Sequence, residues 1–210
     1  SAACSALRRG TAQDRAGVRS DYLISHPKLQ ALLADVFTTA LRTGHLDESW
    51  LHASITPVLK PRKPIYDVAS YRPVGMTTTL CRAYGHVLLK RLMDEVPDAE
   101  DPRTLQGPQP VGVSLEQSGF KQRRSCTEAV LALREIISTR WHQGLATWVL
   151  FSDVAKAYDK LDRQRMLHKL ELAGVSLWLR RAIAALHSRT TAAVDLKVAQ
   201  SEPFEVPIGT

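Results

Sequence analysis

Residues 148–159, with the sequence WVLFSDVAKAYD, combine an apolar run with two carboxylates in a spacing that suits metal chemistry. The β-branched and aromatic residues at its start predict a buried strand over residues 148–153. Such a strand would end on Asp153 and fix its side chain, and Mg²⁺ prefers carboxylate oxygens as ligands. We therefore predict Asp153 as a metal ligand. Asp159 is the weaker candidate, because an acid at that place can instead cap the following turn.

Two basic clusters lie upstream of this segment. Arginine suits bidentate phosphate contact, whereas lysine acts as a point charge. An aromatic face beside cations is a usual pairing for single-stranded nucleic acid, so the second cluster, which contains Phe120, favours nucleic-acid binding. The alternative is solvated surface charge, which explains most such runs. The first cluster consists of Lys60, Arg62, Lys63 and Arg72, and the second of Phe120, Lys121, Arg123 and Arg124.

Length, charge and cysteine usage narrow the class of protein. The 210 residues carry a net charge of +7, which favours nucleic acid over an acidic protein or a membrane surface as partner. No run is apolar and long enough to span a bilayer, so no membrane role is predicted. The three cysteines have no paired spacing, which favours a reducing intracellular compartment. No Ser–His–acid set, Walker loop or dinucleotide fingerprint is present.

The predicted helices and strands do not alternate regularly, which indicates an α+β fold. A stretch rich in Pro, Gly, Gln and Asp at 96–118 predicts a surface loop and is a candidate insertion, and residues up to 22 are expected to be loop-like. The sequence predicts a capping box formed by Ser125 and Glu128. It predicts single helix caps at Asp162 and Ser176. Predicted helices cover about 28–43, 78–95, 126–143, 163–173 and 177–186; predicted strands cover 54–60, 71–74, 148–153, 192–198 and 202–206, the last two as a hairpin turning near 200–201.

Several motifs in this order resemble those of reverse transcriptases from non-LTR, LINE-type retrotransposons. FSDVAKAYD at 151–159 resembles the first palm motif, and SGFKQRRSCT at 118–127 resembles the fingers motif before it. ITPVLKP at 55–61 and SYRPV at 70–74 are similar to the earlier fingers motif, and TGHLDESW at 43–50 to the segment preceding that. Each motif is weak alone, but their shared order and spacing make the resemblance specific.

The resemblance implies template-directed addition of deoxynucleotides with Mg²⁺ as cofactor, on RNA or an RNA/DNA hybrid. It makes Asp153 the catalytic, metal-binding palm acid. It makes Tyr158 the aromatic that lies under the sugar and discriminates deoxy- from ribonucleotides. Further positions implied by the resemblance are Lys60 and Arg72 at the incoming triphosphate, and Lys121 and Arg124 near the template strand or nucleotide.

The sequence also departs from the family pattern. Lys121 stands where the family usually has Arg, which keeps the charge but loses the planar fork. No Asp-Asp pair, which the family's second catalytic motif carries, occurs in the sequence. The expected fold is therefore part of a right-hand polymerase, namely fingers and half a palm with no thumb. The expected domains are a basic N-terminal segment at 1–27, a fingers-like region at 28–145 containing the 96–118 loop, and a partial palm at 146–210.

Two functional hypotheses remain open on the sequence. In the first, the chain is a reverse transcriptase fragment that binds template and nucleotide, is inactive alone, and meets its other catalytic half elsewhere. In the second, it is a retroelement-derived, inactive RNA-binding component of a ribonucleoprotein assembly with other protein chains, such as a mitochondrial ribosome. An organellar or nuclear compartment is compatible with both.

Overall fold

The computed structural model of the chain describes residues 2–11, 13–96, 117–120, 124–196 and 198–206. Within them the fold is α+β, as the sequence predicts, with one four-stranded sheet. No helix in these ranges has the length and apolar character needed to cross a bilayer. The helices are α1 (Ala2–Ser5), α2 (Ser20–Ser25), α3 (Pro27–Thr43), α4 (Thr79–Glu95), α5 (Cys126–His142), α6 (Arg163–Leu172) and α7 (Leu177–His187), and the strands are β1 (His52–Leu59), β2 (Tyr71–Met76), β3 (Thr191–Val194) and β4 (Phe204–Glu205).

The sheet has the strand order β2-β1-β3-β4. β1 pairs antiparallel with β2 and parallel with β3, and β3 pairs antiparallel with β4. The pairing with β3 covers only residues 52–55 of β1. Pro57 therefore lies beyond the part of β1 that pairs with β3. Because no described strand neighbours β1 on that edge at Pro57, the missing N–H removes no ladder hydrogen bond there. Within sheets, proline is confined to such edge or irregular positions.

Several helix ends follow from local sequence. Gly44 ends α3 with φ 68°, and its N–H donates to the Ala40 carbonyl, an αL cap that glycine adopts without steric cost. Ser125 and Glu128 form the predicted capping box at the start of α5. The Asp162 carboxylate accepts from the first backbone N–H groups of α6. The predicted caps at Ser125 and Asp162 are confirmed.

The chain forms two compact units. The first comprises residues 1–95 and 158–210, and the second comprises residues 96–157. The core of the first unit includes an aromatic cluster in which Phe37, Trp50 and Tyr84 lie with ring centroids 5.5–5.7 Å apart. In the second unit, α5 buries none of its residues.

The predicted strand at 148–153 is wrong. The structure has no strand there, and its side chains are exposed: Trp148 is 95%, Leu150 92% and Phe151 82% accessible. A strand satisfies its backbone N–H and C=O groups through a neighbouring strand, and no described strand pairs with this segment. The apolar sequence therefore does not by itself fix the backbone before Asp153.

Three smaller expectations are corrected. The predicted C-terminal hairpin exists as β3 and β4, but the chain reverses between Asp195 and Gln200, which form a bridge, and not at 200–201. Two short helices, α1 and α2, lie in the N-terminal region expected to be loop-like. The side chain of Ser176 makes no capping hydrogen bond to α7.

Glu95, at the end of α4, provides the side-chain hydrogen bonds at the start of α7. Its carboxylate accepts the backbone N–H of Ser176 at 2.7 Å and the Ser176 hydroxyl at 2.8 Å. An acid at a helix N-terminus also interacts favourably with the helix dipole. We predict that Glu95→Ala lowers the free energy of unfolding by about 1–2 kcal/mol, because it removes these charge-assisted hydrogen bonds.

Urea denaturation followed by circular dichroism measures this change. Asp94→Ala is the matched control, since Asp94 is the exposed neighbouring acid on the same helix, and we expect it to change stability by less than about 0.5 kcal/mol. Equal effects of the two substitutions would contradict the capping role of Glu95.

His187 makes stability depend on pH. Burial, together with the nearby Arg163 guanidinium, lowers the pKa of its imidazole below the ordinary value of about 6.5. The unfolded chain then binds more protons than the folded chain, so stability rises with pH in this range. We predict that stability is fully present above about pH 7 and falls as the pH drops through 6.5 towards the folded-state pKa.

Denaturation midpoints at a series of pH values test this prediction. His187→Gln should flatten the loss of stability on acidification, whereas His142→Gln, at an exposed position of α5, should leave it unchanged. A wild-type slope retained in His187→Gln would refute the assignment.

Candidate nucleic-acid interface

The β1–β2 hairpin holds the first basic cluster. Its loop is closed by the Lys60 N–H, which donates to the Ser70 carbonyl at 2.8 Å, and by the Lys60 ammonium, which donates to the Ala69 carbonyl at 2.7 Å. The loop's one acid, Asp67, accepts the Ala69 N–H at 2.9 Å. The hydrogen bonds that shape this loop thus involve Asp67, so its oxygens do not pair with the neighbouring cations.

The strand register brings Lys60 and Arg72 to one face of the sheet. Arg72 of β2 lies opposite Val58 of β1, and side chains two residues apart along a strand point to the same face. Lys60 follows Val58 by two residues, so it lies on the Arg72 side. The two residues that the resemblance assigns to the incoming triphosphate therefore share a face at the loop end of the hairpin.

Arg62 occupies a strained backbone position in this loop. Its φ is 61°, a left-handed conformation that is unfavourable for a residue with a Cβ. Its side chain and that of Lys63 are exposed. Neither side chain has a hydrogen-bond or ion-pair partner in the described parts of the chain. The loop thus presents cations that are open to an anionic ligand.

Tyr66 is a candidate interface residue that sequence reasoning missed. It is 89% exposed at the tip of the same loop, and the backbone beside it is held by the Tyr71 hydroxyl, which donates to the Ile65 carbonyl at 2.8 Å. The signal was present in the sequence, because Tyr66 follows Lys63 by three residues, and an aromatic near cations is the pattern that singled out Phe120.

The second basic cluster is described only in part. Phe120 is 96% exposed with φ 61°. Arg124 lies 4.0 Å from Glu128 in a partly exposed ion pair. Lys121 and Arg123 lie outside the described residues. The predicted pairing of Phe120 with neighbouring cations therefore stays a prediction.

The candidate residues of the palm motif belong to different compact units. Asp153 is exposed and belongs to the second unit, whereas Tyr158 and Asp159 are exposed and belong to the first. The Tyr158 carbonyl accepts a long hydrogen bond from Leu161 N–H at 3.4 Å. Nowhere in the described ranges do three or more His, Cys, Asp or Glu side chains lie close enough together to hold a metal ion between them. The predicted role of Asp153 as a ligand of Mg²⁺ therefore stays a prediction.

A cavity lined by several arginines lies elsewhere in the first unit. A cavity of about 1300 Å³ opens between the N-terminal segment and one end of the sheet. The sequence predicts only a basic segment there and no site. The charged residues that line the cavity are Arg8, Arg9, Arg15, Arg82, Asp14, Glu48 and Asp195.

The chain is similar to RNA-directed DNA polymerases of mobile elements. It is 25% identical over 139 residues to the probable RNA-directed DNA polymerase from transposon BS of Drosophila melanogaster, and 26% identical over 151 residues to that of the mobile element jockey from the same organism. Each similarity covers 66% of this chain but only 14% and 16% of the respective relative. No protein-family model matches the chain. The resemblance to non-LTR retrotransposon reverse transcriptases is thereby confirmed.

The strain at Arg62 leads to a prediction that separates stability from binding. Arg62→Gly should raise the free energy of unfolding by up to about 1 kcal/mol, because glycine adopts positive φ without steric cost. The same substitution should weaken RNA binding, because it removes a cation.

Lys63→Gly is the control. It also removes a cation from the loop, but Lys63 is not among the residues with positive φ, so stability should not rise. Thermal unfolding and RNA binding are measured on the same samples. A fall in stability for Arg62→Gly would contradict the strain argument.

Proposed function

We propose that this chain is the template- and nucleotide-binding part of an RNA-directed DNA polymerase of the non-LTR retrotransposon type. In this proposal it comprises the fingers and the first part of the palm of a right-hand polymerase fold. The observation that carries the proposal is the β1–β2 hairpin, which presents Lys60 and Arg72 on one face and leaves Tyr66 exposed at its tip. The similarity to polymerases of mobile elements supports it.

The chemistry of the hairpin suits a single strand of RNA. The guanidinium groups of Arg62 and Arg72 can each make two parallel hydrogen bonds to a phosphate, and Lys60 adds a point charge. Tyr66 offers a ring on which a base can stack, a contact worth about 1–3 kcal/mol per base. Binding built in this way is largely independent of sequence and weakens with salt, because phosphate contacts release counterions.

Asp153 and Tyr158 have proposed roles that derive from the resemblance. Asp153 would be one ligand of the catalytic Mg²⁺, and Tyr158 would lie under the sugar of the incoming nucleotide. Two-metal phosphoryl transfer needs further carboxylates, so we expect the 210 residues alone to bind RNA without extending a primer.

A second candidate is an RNA-binding component of a ribonucleoprotein assembly that has no polymerase activity. The exposed cations Arg62 and Lys63 suit this role as well, because binding an RNA strand through its phosphates needs no metal site. The two candidates differ in nucleotide binding. A polymerase part should bind a deoxynucleoside triphosphate in the presence of RNA, and a purely structural component should not.

The hairpin's role is tested with a fluorescently labelled oligo(U) of about 16 nucleotides at a series of salt concentrations. The variant Lys60→Gln/Arg62→Gln/Lys63→Gln/Arg72→Gln should weaken binding at least about tenfold. It should also reduce the slope of log K against log salt by up to about 2.8, at about 0.7 per lost phosphate contact.

The matched control removes the same charge from exposed positions elsewhere, with Lys28→Gln/Arg42→Gln/Lys90→Gln/Arg181→Gln. It should keep most of the affinity and slope. Tyr66→Ala should weaken binding about fivefold or more, and Tyr66→Phe should not, because the ring alone provides stacking. Binding that ignores salt, or that falls equally in both quadruple variants, would refute the proposed interface.

A further inference from the structure

The cavity of about 1300 Å³ in the first unit depends on one carboxylate at its rim. Asp14 Oδ1 accepts the backbone N–H groups of Ala16 at 3.0 Å and Val18 at 2.9 Å, and Oδ2 accepts the N–H of Thr79 at 2.6 Å. Burial alone would raise the pKa of Asp14, but these hydrogen bonds outweigh it and hold the pKa below its ordinary value. Asp14 thus stays ionised and ties the N-terminal segment to the first turn of α4.

A second contact joins the segment to the sheet. The Arg15 guanidinium lies 3.1 Å from Nε2 of His52, and Nδ1 of His52 lies 2.9 Å from the Thr191 hydroxyl. Because a guanidinium only donates, Nε2 is the unprotonated acceptor and Nδ1 carries the hydrogen. This contact uses one Arg15 donor group, and its other N–H groups have no partner among the described residues.

The cations that line the cavity are more available than its acids. Arg8 and Arg9 are exposed and have no hydrogen-bond or ion-pair partner in the described parts of the chain. Of the three acids, Asp14 is engaged by backbone N–H groups, and Asp195 accepts from the Ser54 hydroxyl at 3.5 Å. Glu48 remains as the one opposing carboxylate without a described partner. The open hydrogen-bonding capacity of the cavity is therefore mainly that of arginine donors.

The cavity and the hairpin lie along the same face of the sheet. His52 and Ser54 of β1 line the cavity, and the alternation of side chains puts Val58 and Lys60 on the same face as both. The eight residue-to-residue steps from His52 to Lys60 span roughly 26 Å at a rise of about 3.3 Å each. Cations thus stand at both ends of one strand, with Arg72 at the hairpin end.

We propose that the arginine-lined cavity binds the phosphodiester backbone of the same RNA strand that the hairpin holds, as a second contact region further along that strand. This inference rests on the proposed RNA binding by the hairpin. The guanidinium groups of Arg8 and Arg9 each contact phosphate oxygens, and Arg15 contributes its remaining donors. A strand that reaches both regions gains affinity because its second contact is intramolecular.

The test uses two RNA lengths, because only a long strand reaches both regions. Labelled oligo(U) of about 16 nucleotides and of about 4 nucleotides bracket the site sizes known for single-strand binders. Arg8→Gln/Arg9→Gln should weaken binding of the long RNA about fivefold and lower its salt slope by about 1.4. Both side chains are exposed, so the substitutions leave the fold intact, which circular dichroism verifies.

Arg42→Gln/Arg181→Gln, which removes two exposed arginines from α3 and α7, is the matched control and should leave binding nearly unchanged. The ratio of long-strand to short-strand affinity should fall in Arg8→Gln/Arg9→Gln relative to this control. Equal ratios in the two variants would overturn the inference.

A third measurement distinguishes strand phosphates from free phosphate. Pyrophosphate should displace the long RNA no better than a simple salt does at the same ionic strength. Displacement at far lower pyrophosphate concentration, if it disappears in Arg8→Gln/Arg9→Gln, would mean that the cavity binds small phosphates. That result would overturn the inference that one RNA strand contacts both the hairpin and the cavity. If the hairpin quadruple variant alone reduces affinity, the RNA-binding proposal stands and the cavity inference fails; if neither variant does, both fail.

Discussion

Strand β1 pairs with neighbours along both of its edges, and this pairing fixes which side chains share a face of the sheet. The antiparallel register with β2 brings Arg72 beside Val58, and the parallel register with β3 brings Thr191 beside His52. A shift by one residue in either register would turn every side chain of that strand to the opposite face. Lys60 and Arg72 at one end, and the cavity lining at the other, therefore depend on the same set of backbone hydrogen bonds.

Two residues with candidate roles in nucleic-acid binding, Arg62 and Phe120, lie in strained backbone positions. The described non-glycine residues with positive φ are Arg62, Phe120, Lys156 and Arg189, each of them basic or aromatic. Asparagine and glycine tolerate this conformation better, so local stability does not account for these residue types. Strain of about 1 kcal/mol or more at such positions persists when the surrounding structure holds it in place. Arg62 shows this directly, because the closed hairpin loop fixes its backbone and directs the cation into solvent.

The features that the sequence predicts correctly are those that a few neighbouring residues determine. The capping box at Ser125 and the glycine stop at Gly44 need only residues within one or two helical turns. The failed strand at 148–153 needs a partner strand, which its own sequence does not specify. The cavity depends on Asp14 meeting Thr79, a contact between residues 65 positions apart. Among the interface residues that sequence reasoning missed, only Tyr66 could have been found from local pattern.

The distribution of hydrogen bonds explains why a net charge of +7 understates how open this surface is to anions. Asp14, Asp47, Asp67 and Asp162 each accept backbone N–H groups at turns or helix starts. Their negative charge remains, but their oxygens are directed at the backbone. Asp14, Asp47 and Asp67 form no ion pair with a guanidinium group among the described residues, whereas Asp162 also pairs with Arg165 at 3.3 Å. Arginine donors that would otherwise be matched within the chain stay available. An RNA strand supplies phosphate oxygens in the geometry that those donors prefer, so the same carboxylates that shape the loops leave the cations to the ligand.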